Sequence, residues 1–535
     1  MTNAEIAKAL ESYAGLLDLA GAGYYTVRAY RRAAELIRET RAPVAELVRA
    51  GRARELRGVG PGIERRLDEL VATGRLAELE ELESELEPQL VALGRFVGVG
   101  PQRMVAIGRA LGIRTAEELR AAATAGRLRE VPGIGAATER KILAGLTRER
   151  PRHGRGILLN RARALAETIA AELEAEIAGE VRRWRDVVHE LVLVTAAPDA
   201  PRRLEASRTA VTVVERNREG VFGVTVDGIP VEVVVAEPER LGTELLRATG
   251  SPEYVASLGE LPCGAIEEQV YDRLGVPWCP PELREAPLAV APPGLVELAD
   301  IRGDLHCHTT WSDGKASVAE MATAARDRGY DYLAICDHSP SVRVVPGLDA
   351  EGLLRQAEEI AAVNEELAPF RVLRGIECDI RRDGTLDLPD RALADLDWVQ
   401  LSLHAGQRED ADSLTKKVTE AMRHPVVRCL SHPKGRIINH RPPNALVLER
   451  VLEVALEEGV AIETNGLPDR LDLRDEEVRM CVEAGVPIVC STDAHSVRGL
   501  DNMRLCVATA RRGWASADDV LNTRRLEEVL AQRRR

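Results

Sequence analysis

The 535-residue sequence predicts a multidomain protein of the α and α/β classes, with a helical N-terminal part, an α+β middle part and a C-terminal distorted (β/α)7 barrel. Three observations predict this fold class. Glycine turns join helical patterns before residue 150, hairpin-type strands lie within 186–236, and seven strand–helix alternations follow residue 300. At about 100–200 residues per domain, a chain of this length forms several domains. We expect four domains, at residues 1–88, 89–154, 155–298 and 299–535.

Three short glycine motifs repeat in the first 150 residues. They are Gly58-Val59-Gly60-Pro61-Gly62, Gly98-Val99-Gly100-Pro101 and Pro132-Gly133-Ile134-Gly135, and each lies between two apolar helical patterns. This order is typical of the helix-hairpin-helix motif, in which a glycine turn approaches a phosphate closely and the next helix presents free N–H groups to it. Such contacts bind the backbone of DNA without reading its bases. The DNA-binding residues we predict are Gly58, Gly60, Gly62, Gly98, Gly100, Gly133 and Gly135.

The distribution of charge also favours a nucleic-acid partner for the N-terminal part alone. The net charge of the chain is −14, but residues 1–155 carry +5, residues 156–299 carry −10 and residues 300–535 carry −9. The nine cysteines include no C-x-x-C pair, and no apolar run approaches a membrane span. We therefore expect a cytoplasmic protein with no membrane partner, and no protein partner is inferable from the sequence.

The middle part, residues 155–298, reads as a helical stretch followed by strands. Residues 155–185 have a helical pattern, and the apolar runs Val221–Val226 and Val231–Val235 flank Asp227-Gly228, a hairpin turn. A proline-rich stretch from Pro277 reads as a linker that ends near Leu298.

Acidic and imidazole side chains cluster at the ends of the predicted barrel strands. Eight of the ten histidines follow residue 300, and in a parallel barrel the carboxyl ends of the strands share one face. The metal ligands we predict are His306, His308, Asp313, His338, Glu377, His404, His432, Asp493 and His495. Nine ligands fit two or three divalent ions, and mixed imidazole and carboxylate suits Mn²⁺, Zn²⁺ or iron. Lys434, Arg436 and Arg441 follow His432, and we expect them to bind substrate phosphates.

Three stretches carry a resemblance to a known family: Asp304-Leu305-His306-Cys307-His308, Thr492-Asp493-Ala494-His495 and the junction Ala299–His306. The C-terminal part resembles the polymerase-and-histidinol-phosphatase (PHP) superfamily, and the whole chain resembles bacterial family X DNA polymerases. That resemblance implies a metal-dependent 3'-5' exonuclease of DNA repair, associated with the bacterial nucleoid and acting on gapped DNA or single-stranded ends. It also implies three ion sites: His306, His308, Glu377 and Asp493; Glu377, His404 and His432; Asp313, His338 and His495. It assigns no catalytic residue beyond these ligands.

The sequence departs from that family in the segment that resembles the nucleotidyltransferase palm. The family has Gly-Ser and then an Asp-x-Asp pair that binds catalytic metals, whereas this chain has Gly179-Glu180 and, further on, Glu190-Leu191-Val192. Glu232 stands where the third carboxylate is expected. Two-metal transfer needs carboxylates in a tight geometry, so Glu190, Val192 and Glu232 predict a degenerate palm. Arg66 stands where a Schiff-base lysine is expected, and a guanidinium cannot be that nucleophile.

Three alternatives remain open. The chain could be a working DNA polymerase that uses Glu190 and Glu232 as metal ligands. It could be a small-molecule phosphatase of the histidinol-phosphatase type, although the glycine-turn repeats disfavour this. It could also be a non-catalytic scaffold at damaged DNA, which the full set of ligands disfavours.

Overall fold

The structure is a computed structural model. It describes residues 1–19, 22–40, 43–56, 59–86, 88–147, 156–206, 212–216, 220–225, 228–288, 290–342 and 345–532. Gly58 and Asp227 therefore lie outside the described residues.

The N-terminal part consists of helices. The first five are α1 (Asn3–Leu19), α2 (Tyr24–Glu39), α3 (Val44–Arg49), α4 (Pro61–Thr73) and α5 (Ala77–Leu86). They are followed by α6 (Pro88–Phe96), α7 (Pro101–Leu111), α8 (Ala116–Thr124) and α9 (Ala136–Thr147). One apolar core lies within residues 6–76, and a second within 90–146 also takes in Val214 and Val224 from the middle part. The second helical unit therefore packs against the middle part.

The middle part is built on a five-stranded mixed sheet. Its elements are β1 (Ile157–Leu158), α10 (Leu159–Leu173), β2 (Glu176–Ile177), α11 (Gly179–Arg182), β3 (Val187–Val188), β4 (Leu191–Thr195), α12 (Ala200–Ala206), β5 (Thr212–Arg216), β6 (Gly220–Val224), β7 (Pro230–Val235), α13 (Leu241–Thr249), α14 (Pro252–Ser257) and α15 (Glu267–Leu274). The strand order is β2-β4-β7-β6-β5. Strands β4 and β7 run parallel, and β6 pairs with β7 antiparallel as the hairpin pattern predicts.

Two expectations about this middle part are wrong. The helical stretch predicted over 155–185 ends with α10, because Glu174 adopts a left-handed conformation with φ of 52° and the chain continues into β2. The proline-rich stretch is not a free linker. Arg284 is fully buried, and its guanidinium Nη1 lies 2.6 Å from Glu267 Oε1 of α15, so the stretch is fixed to the domain.

The C-terminal part confirms the predicted distorted barrel. Its elements are β8 (Gly303–Cys307), α16 (Val318–Asp327), β9 (Tyr332–Ile335), α17 (Ala350–Leu367), β10 (Arg371–Asp379), α18 (Asp390–Leu393), β11 (Trp398–Ser402), α19 (Ala411–Met422), β12 (Cys429–Leu430), α20 (Leu448–Glu458), β13 (Ala461–Asn465), α21 (Asp475–Ala484), β14 (Ile488–Ser491), α22 (Met503–Arg512) and α23 (Leu526–Ala531). The seven strands are all parallel and neighbour one another in chain order.

The barrel is nearly closed between its last and first strands. The backbone N–H of His308 donates to Ala494 O at 2.9 Å, and that of Asp493 donates to His306 O at 3.0 Å. The core lies between the strands and their helices, as expected for strands that are buried on both faces. The closure places the residues that follow β14 beside the end of β8.

The middle part and the barrel share an apolar cluster. Ile438, Leu471 and Leu505 of the barrel pack into the core around α10. Polar contacts join the same surfaces: Arg436 Nη1 lies 2.8 Å from Asp186 Oδ2, and Arg512 donates to the Arg183 carbonyl. Among the residues described, no helix is long and apolar enough to cross a membrane.

Candidate metal centre

The nine side chains that the sequence singles out come together at the carboxyl end of the barrel. His306 lies on β8 and Glu377 on β10, and the other seven follow the ends of their strands. They surround one space because the carboxyl ends of parallel strands share one face. His306 and His308 reach it from positions two residues apart, since alternate residues of a strand point to the same side.

Glu377 lies at the middle of the cluster. Its Oε1 is 2.9 Å from His432 Nε2 and 3.6 Å from His404 Nε2. Its Oε2 is 2.8 Å from His338 Nδ1, and 3.7 Å from the Nε2 atoms of both His306 and His308. One carboxylate thus contacts five imidazoles, which is the geometry of a bridging ligand.

Two further carboxylates lie on the β8 side of Glu377. Asp493 Oδ1 is 3.1 Å from His308 Nε2 and 3.6 Å from His495 Nδ1. Asp313 lies 3.2 Å from His495 Nε2 through Oδ2 and 3.5 Å from His338 Nε2 through Oδ1. Both carboxylates therefore share imidazoles with their neighbours.

Within the described residues, the ligand atoms form three compact groups, each with all of its atoms within 4.8 Å of one another. These groups are His306, His308 and Asp493; His338, Glu377 and His404; and His308, Asp313, His338 and His495. Compared with the ion sites that the resemblance implies, His338 contacts Glu377 as well as Asp313, and His308 contacts Asp313 as well as Asp493. His432 joins through its contact with Glu377 alone.

The charges of the cluster are strongly coupled. Although burial opposes the shift, His404 and His338 hold the pKa of Glu377 well below its usual range. Burial, together with His495 and His338, lowers the pKa of His308 to about 4. Asp493 likewise has a lowered pKa, because the charge of His306 and the hydrogen bond of His308 outweigh its burial. The carboxylates are therefore anionic and available as ligands near neutral pH.

The donor set fits divalent metal ions. Four buried ligand atoms make no hydrogen bond of acceptable geometry: His308 Nδ1, His338 Nδ1, His432 Nδ1 and Glu377 Oε2. Buried polar atoms are normally satisfied, and leaving them unpaired is costly. A cation among imidazole nitrogens and carboxylate oxygens supplies the missing partners, and this mixture of ligands suits Zn²⁺, Mn²⁺ or iron.

Sequence reasoning missed the residues that orient these ligands. Glu463 on β13 lies 2.7 Å from His306 Nδ1 and accepts a hydrogen bond from the His432 backbone at 2.7 Å. Asp379 lies 3.3 Å from His404 Nδ1. A charged residue inside an apolar strand, as in Ile462-Glu463-Thr464, is the pattern that could have identified Glu463. Second partners of this kind fix the ring orientation of metal-bound histidines.

Of the three residues predicted to bind phosphates, Lys434, Arg436 and Arg441, the first two make contacts within the protein. Lys434 is buried and donates to Leu446 O at 2.7 Å, and Arg436 is occupied by Asp186 and the Leu471 carbonyl. Their charges therefore stabilise the loop and the domain contact. Arg441 Nε donates to Gly435 O at 2.8 Å, and the rest of its guanidinium makes no hydrogen bond to the residues that the structure describes.

The described glycine turns have the geometry of exposed hairpins. Gly60 and Gly100 precede α4 and α7, no side chain caps either helix, and Pro61 and Pro101 occupy their first turns. Gly98 and Gly133 adopt φ of 70° and 83°, which disfavours other residues. Gly62 lies inside α4 and Gly135 directly precedes α9. The free N–H groups at these helix starts can bind an anion.

The palm-like residues lie on adjacent strands of the middle sheet. Val192 on β4 is in register with Glu232 on parallel strand β7, and Glu190 directly precedes β4. Glu180 accepts a hydrogen bond from the His189 backbone at 2.6 Å. Arg183 is 9% exposed, with Nε donating to Glu285 at 2.9 Å and Nη1 to Thr249 O at 2.6 Å.

The fold and the site together define a class: a chain that joins helix-hairpin-helix modules and a mixed-sheet domain to a PHP-type barrel. Three family models match it, the helix-hairpin-helix domain over residues 1–76, the SAM-like helix-hairpin-helix tandem over 95–148 and the PHP domain over 304–465. The chain is 32% identical over 567 residues, 99% of each chain, to the DNA polymerase/3'-5' exonuclease PolX of Bacillus subtilis. It therefore belongs to the bacterial PolX family of DNA polymerase/3'-5' exonucleases.

Shorter relatives match about a third of the chain. A probable phosphatase of Acetivibrio thermocellus is 32% identical over 201 residues, which cover 36% of this chain and 78% of that relative. A probable phosphatase of Caldanaerobacter subterraneus is 31% identical over 204 residues, covering 36% of this chain and 75% of its own.

Proposed function

We propose that this protein is a DNA-binding, metal-dependent phosphodiesterase that acts as a 3'-5' exonuclease in DNA repair and has lost nucleotidyl transfer. The observation that carries the proposal is the convergence of nine imidazole and carboxylate side chains at the barrel face. The full-length likeness to a PolX and the three helix-hairpin-helix turns support DNA as the substrate. Gapped DNA and single-stranded ends are the substrates we favour.

The ligand sets we propose follow the contacts of the side chains. His306, His308, Glu377 and Asp493 hold one ion, and Glu377, His404 and His432 hold a second. Asp313, His338 and His495 hold a third, with His338 also against Glu377. Mn²⁺ or Zn²⁺ fits this donor set, and iron fits it as well. Divalent ions at such a centre supply the Lewis acidity and positive charge that phosphodiester hydrolysis needs.

The chain's own residues prepare this centre. Glu463 holds His306 so that the Nε2 atom of the ring faces Glu377 and Asp493. Asp379 contacts His404 at Nδ1, so that the Nε2 atom of that ring faces Glu377. The uncapped helix starts at Gly60 and Gly100 bind the DNA backbone and hold the strand while its end enters the barrel.

The palm is, in this proposal, a structural remnant. Val192 replaces a carboxylate beside Glu232, and Arg183 is engaged by Glu285 and Thr249, so neither side chain is free for a nucleotide and its metals. The net charge of −10 over residues 156–299 also disfavours a primer-template there.

One experiment tests the proposal against its rivals. The full-length protein is given Mn²⁺, four dNTPs and a primer-template labelled at the 5' end of the primer, and is compared with His306→Ala. We expect stepwise shortening by the wild type and none by the variant. Extension that persists in His306→Ala would establish the polymerase. Hydrolysis of a phosphate monoester without DNA shortening would establish a small-molecule phosphatase instead.

A further inference from the structure

Three arginines lie on three consecutive loops at the metal-bearing face of the barrel. Arg408 follows β11, Arg441 follows β12 and Arg470 follows β13. The strands are neighbours in the sheet, so the loops emerge side by side. The sequence predicted a phosphate contact for Arg441 alone.

Direct contacts fix these loops against one another. A Cβ on Gly435 would lie 2.4 Å from Gln407 Oε1, which shows that the loop after β12 packs closely on the residue before Arg408. The Asn444 amide donates to Gln407 Oε1 at 3.0 Å. The Ile438 backbone N–H donates to Asp469 O at 2.8 Å, which joins the loop of Arg441 to that of Arg470. The three arginines thus belong to one continuous rim.

The rim carries positive charge that no salt bridge among the described residues neutralises. Within the described part of the chain, no salt bridge includes Arg408, Arg441 or Arg470. Burial, together with the charges of Arg470 and Arg408, lowers the pKa of Arg441. Two acids, Asp469 and Asp472, lie near these arginines. The Asp472 carboxylate accepts hydrogen bonds from the backbones of Lys434 and Arg436. Arg441 and Arg470 are half-buried and Arg408 is exposed, and guanidinium groups that repel one another favour an anion between them.

Arg470 connects this rim to the metal centre. Its loop begins at Asn465, whose amide Nδ2 lies 3.1 Å from Asp493 Oδ2, and returns at Asp472, whose carbonyl accepts the Asn465 N–H at 2.5 Å. Although burial opposes the shift, the charges of Asp493 and Glu377 raise the pKa of Arg470. The loop of Arg470 is therefore joined to the metal centre through the contact of Asn465 with Asp493.

We propose that Arg408, Arg441 and Arg470 bind consecutive phosphodiester groups of a polynucleotide strand whose terminal linkage lies at the metal centre. This rests on the proposed function and names its substrate class: a strand with several phosphates, in preference to a phosphate monoester. A guanidinium binds a phosphate through two parallel N–H donors, so three arginines fix the direction and depth of the strand.

The test compares a DNA pentanucleotide, too short to depend on the distant glycine turns, with bis(p-nitrophenyl) phosphate, which has no flanking phosphate. Arg408→Ala, Arg441→Ala and Arg470→Ala are each expected to lower kcat/KM on the pentanucleotide at least about tenfold, because a charge-assisted hydrogen bond is lost. Hydrolysis of the small diester is expected to fall by less in each variant, because this substrate has no flanking phosphate for the rim to bind. The slope of log(kcat/KM) against log[salt] on the pentanucleotide should become shallower by about 0.7 per arginine removed.

Arg326→Ala is the matched control, because Arg326 is a half-exposed arginine near the end of α16, at the opposite face of the barrel. Arg441→Lys should keep the wild-type salt slope, since the charge remains, but not the full kcat/KM. If all three alanine variants cleave the pentanucleotide as the wild type does, the proposed role of the rim is wrong and the proposed function stands. The same conclusion follows if kcat/KM falls equally on the small diester. If the wild type cleaves neither substrate, the proposed function fails and the rim fails with it.

Discussion

His306 Nδ1 lies 2.7 Å from Glu463 Oε1, and neither side chain has any exposed surface. The contact directs the opposite nitrogen of the ring towards Glu377 and Asp493, at 3.7 and 3.9 Å. Ser491 and Gln400 also donate to the Glu463 carboxylate, so its position is fixed from several sides. The buried Glu463 carboxylate thus fixes the orientation of a proposed metal ligand, although Glu463 is not itself one of the ligands.

We predict that Glu463→Gln weakens metal binding about 10- to 100-fold, because a ligand loses the partner that fixes its ring and raises its basicity. Isothermal titration calorimetry of the metal-free protein with Mn²⁺ measures the change in affinity. Glu449→Gln, on the exposed side of α20, is the control and should bind as the wild type does. An unchanged affinity in Glu463→Gln would falsify the positioning role.

Removal of metal is expected to destabilise the barrel. Carboxylates and imidazoles packed at 2.8–3.9 Å lose the cation that satisfies their buried atoms. An ion at 100 times its Kd stabilises the folded state by about 2.7 kcal/mol, so EDTA should lower the melting temperature and Mn²⁺ should restore it. Scanning calorimetry checks the shift, and elemental analysis should find two or three ions per chain.

Two histidine variants make this measurement specific. His306→Ala should respond less to Mn²⁺ than the wild type does, because it loses a ligand of one of the proposed ions. His424→Ala should respond as the wild type does, because His424 Nε2 lies 3.4 Å from Asp390 and outside the centre. A metal response in His306→Ala equal to that of the wild type contradicts the assignment.

The sequence predicted the barrel and the nine converging side chains because strand alternation and strand ends are local properties. The histidines two residues apart at 306 and 308, and the Asp-x-His at 493–495, carry their spacing within a few residues. The role of Arg436 could not be predicted in the same way. Its partner Asp186 lies 250 residues earlier in the chain, and only the packing of two domains brings them together. The place of Arg408 and Arg470 in the rim could not be predicted for the same reason, because each is a single arginine in its own loop.

The contact between Arg436 and Asp186 predicts a pH-dependent coupling of the middle part to the barrel. Although burial opposes the shift, Arg436 lowers the pKa of Asp186. A carboxylate with a lowered folded pKa stabilises the folded state above its unfolded pKa of about 3.9, and this stabilisation is lost as the pH falls through the folded value. Asp186→Asn should therefore be less stable than the wild type at pH 5–7, and the difference should shrink below about pH 4.

Urea unfolding at a series of pH values measures this difference. Asp412→Asn removes the exposed pair with Arg450 and should cost little at any pH, since exposed ion pairs contribute about 0–1 kcal/mol. A stability difference for Asp186→Asn that persists unchanged at pH 3 would exclude the ionised pair as its cause.

The palm predicts a dissociation of two activities. Val192 lies in register with Glu232, so the two parallel strands present an isopropyl group where two-metal transfer needs a carboxylate, and Glu180 is bound to the turn at His189. We expect no primer extension by the wild type, and unchanged shortening of DNA by Glu190→Gln and Glu232→Gln, because these residues belong to a different domain from the metal centre. Labelled primer-template assays measure both activities. The opposite result is primer extension that His306→Ala retains and that Glu190→Gln or Glu232→Gln abolishes. It would assign the two glutamates to a working polymerase. Their longer side chains would then have to hold the metals that aspartates hold elsewhere in the family.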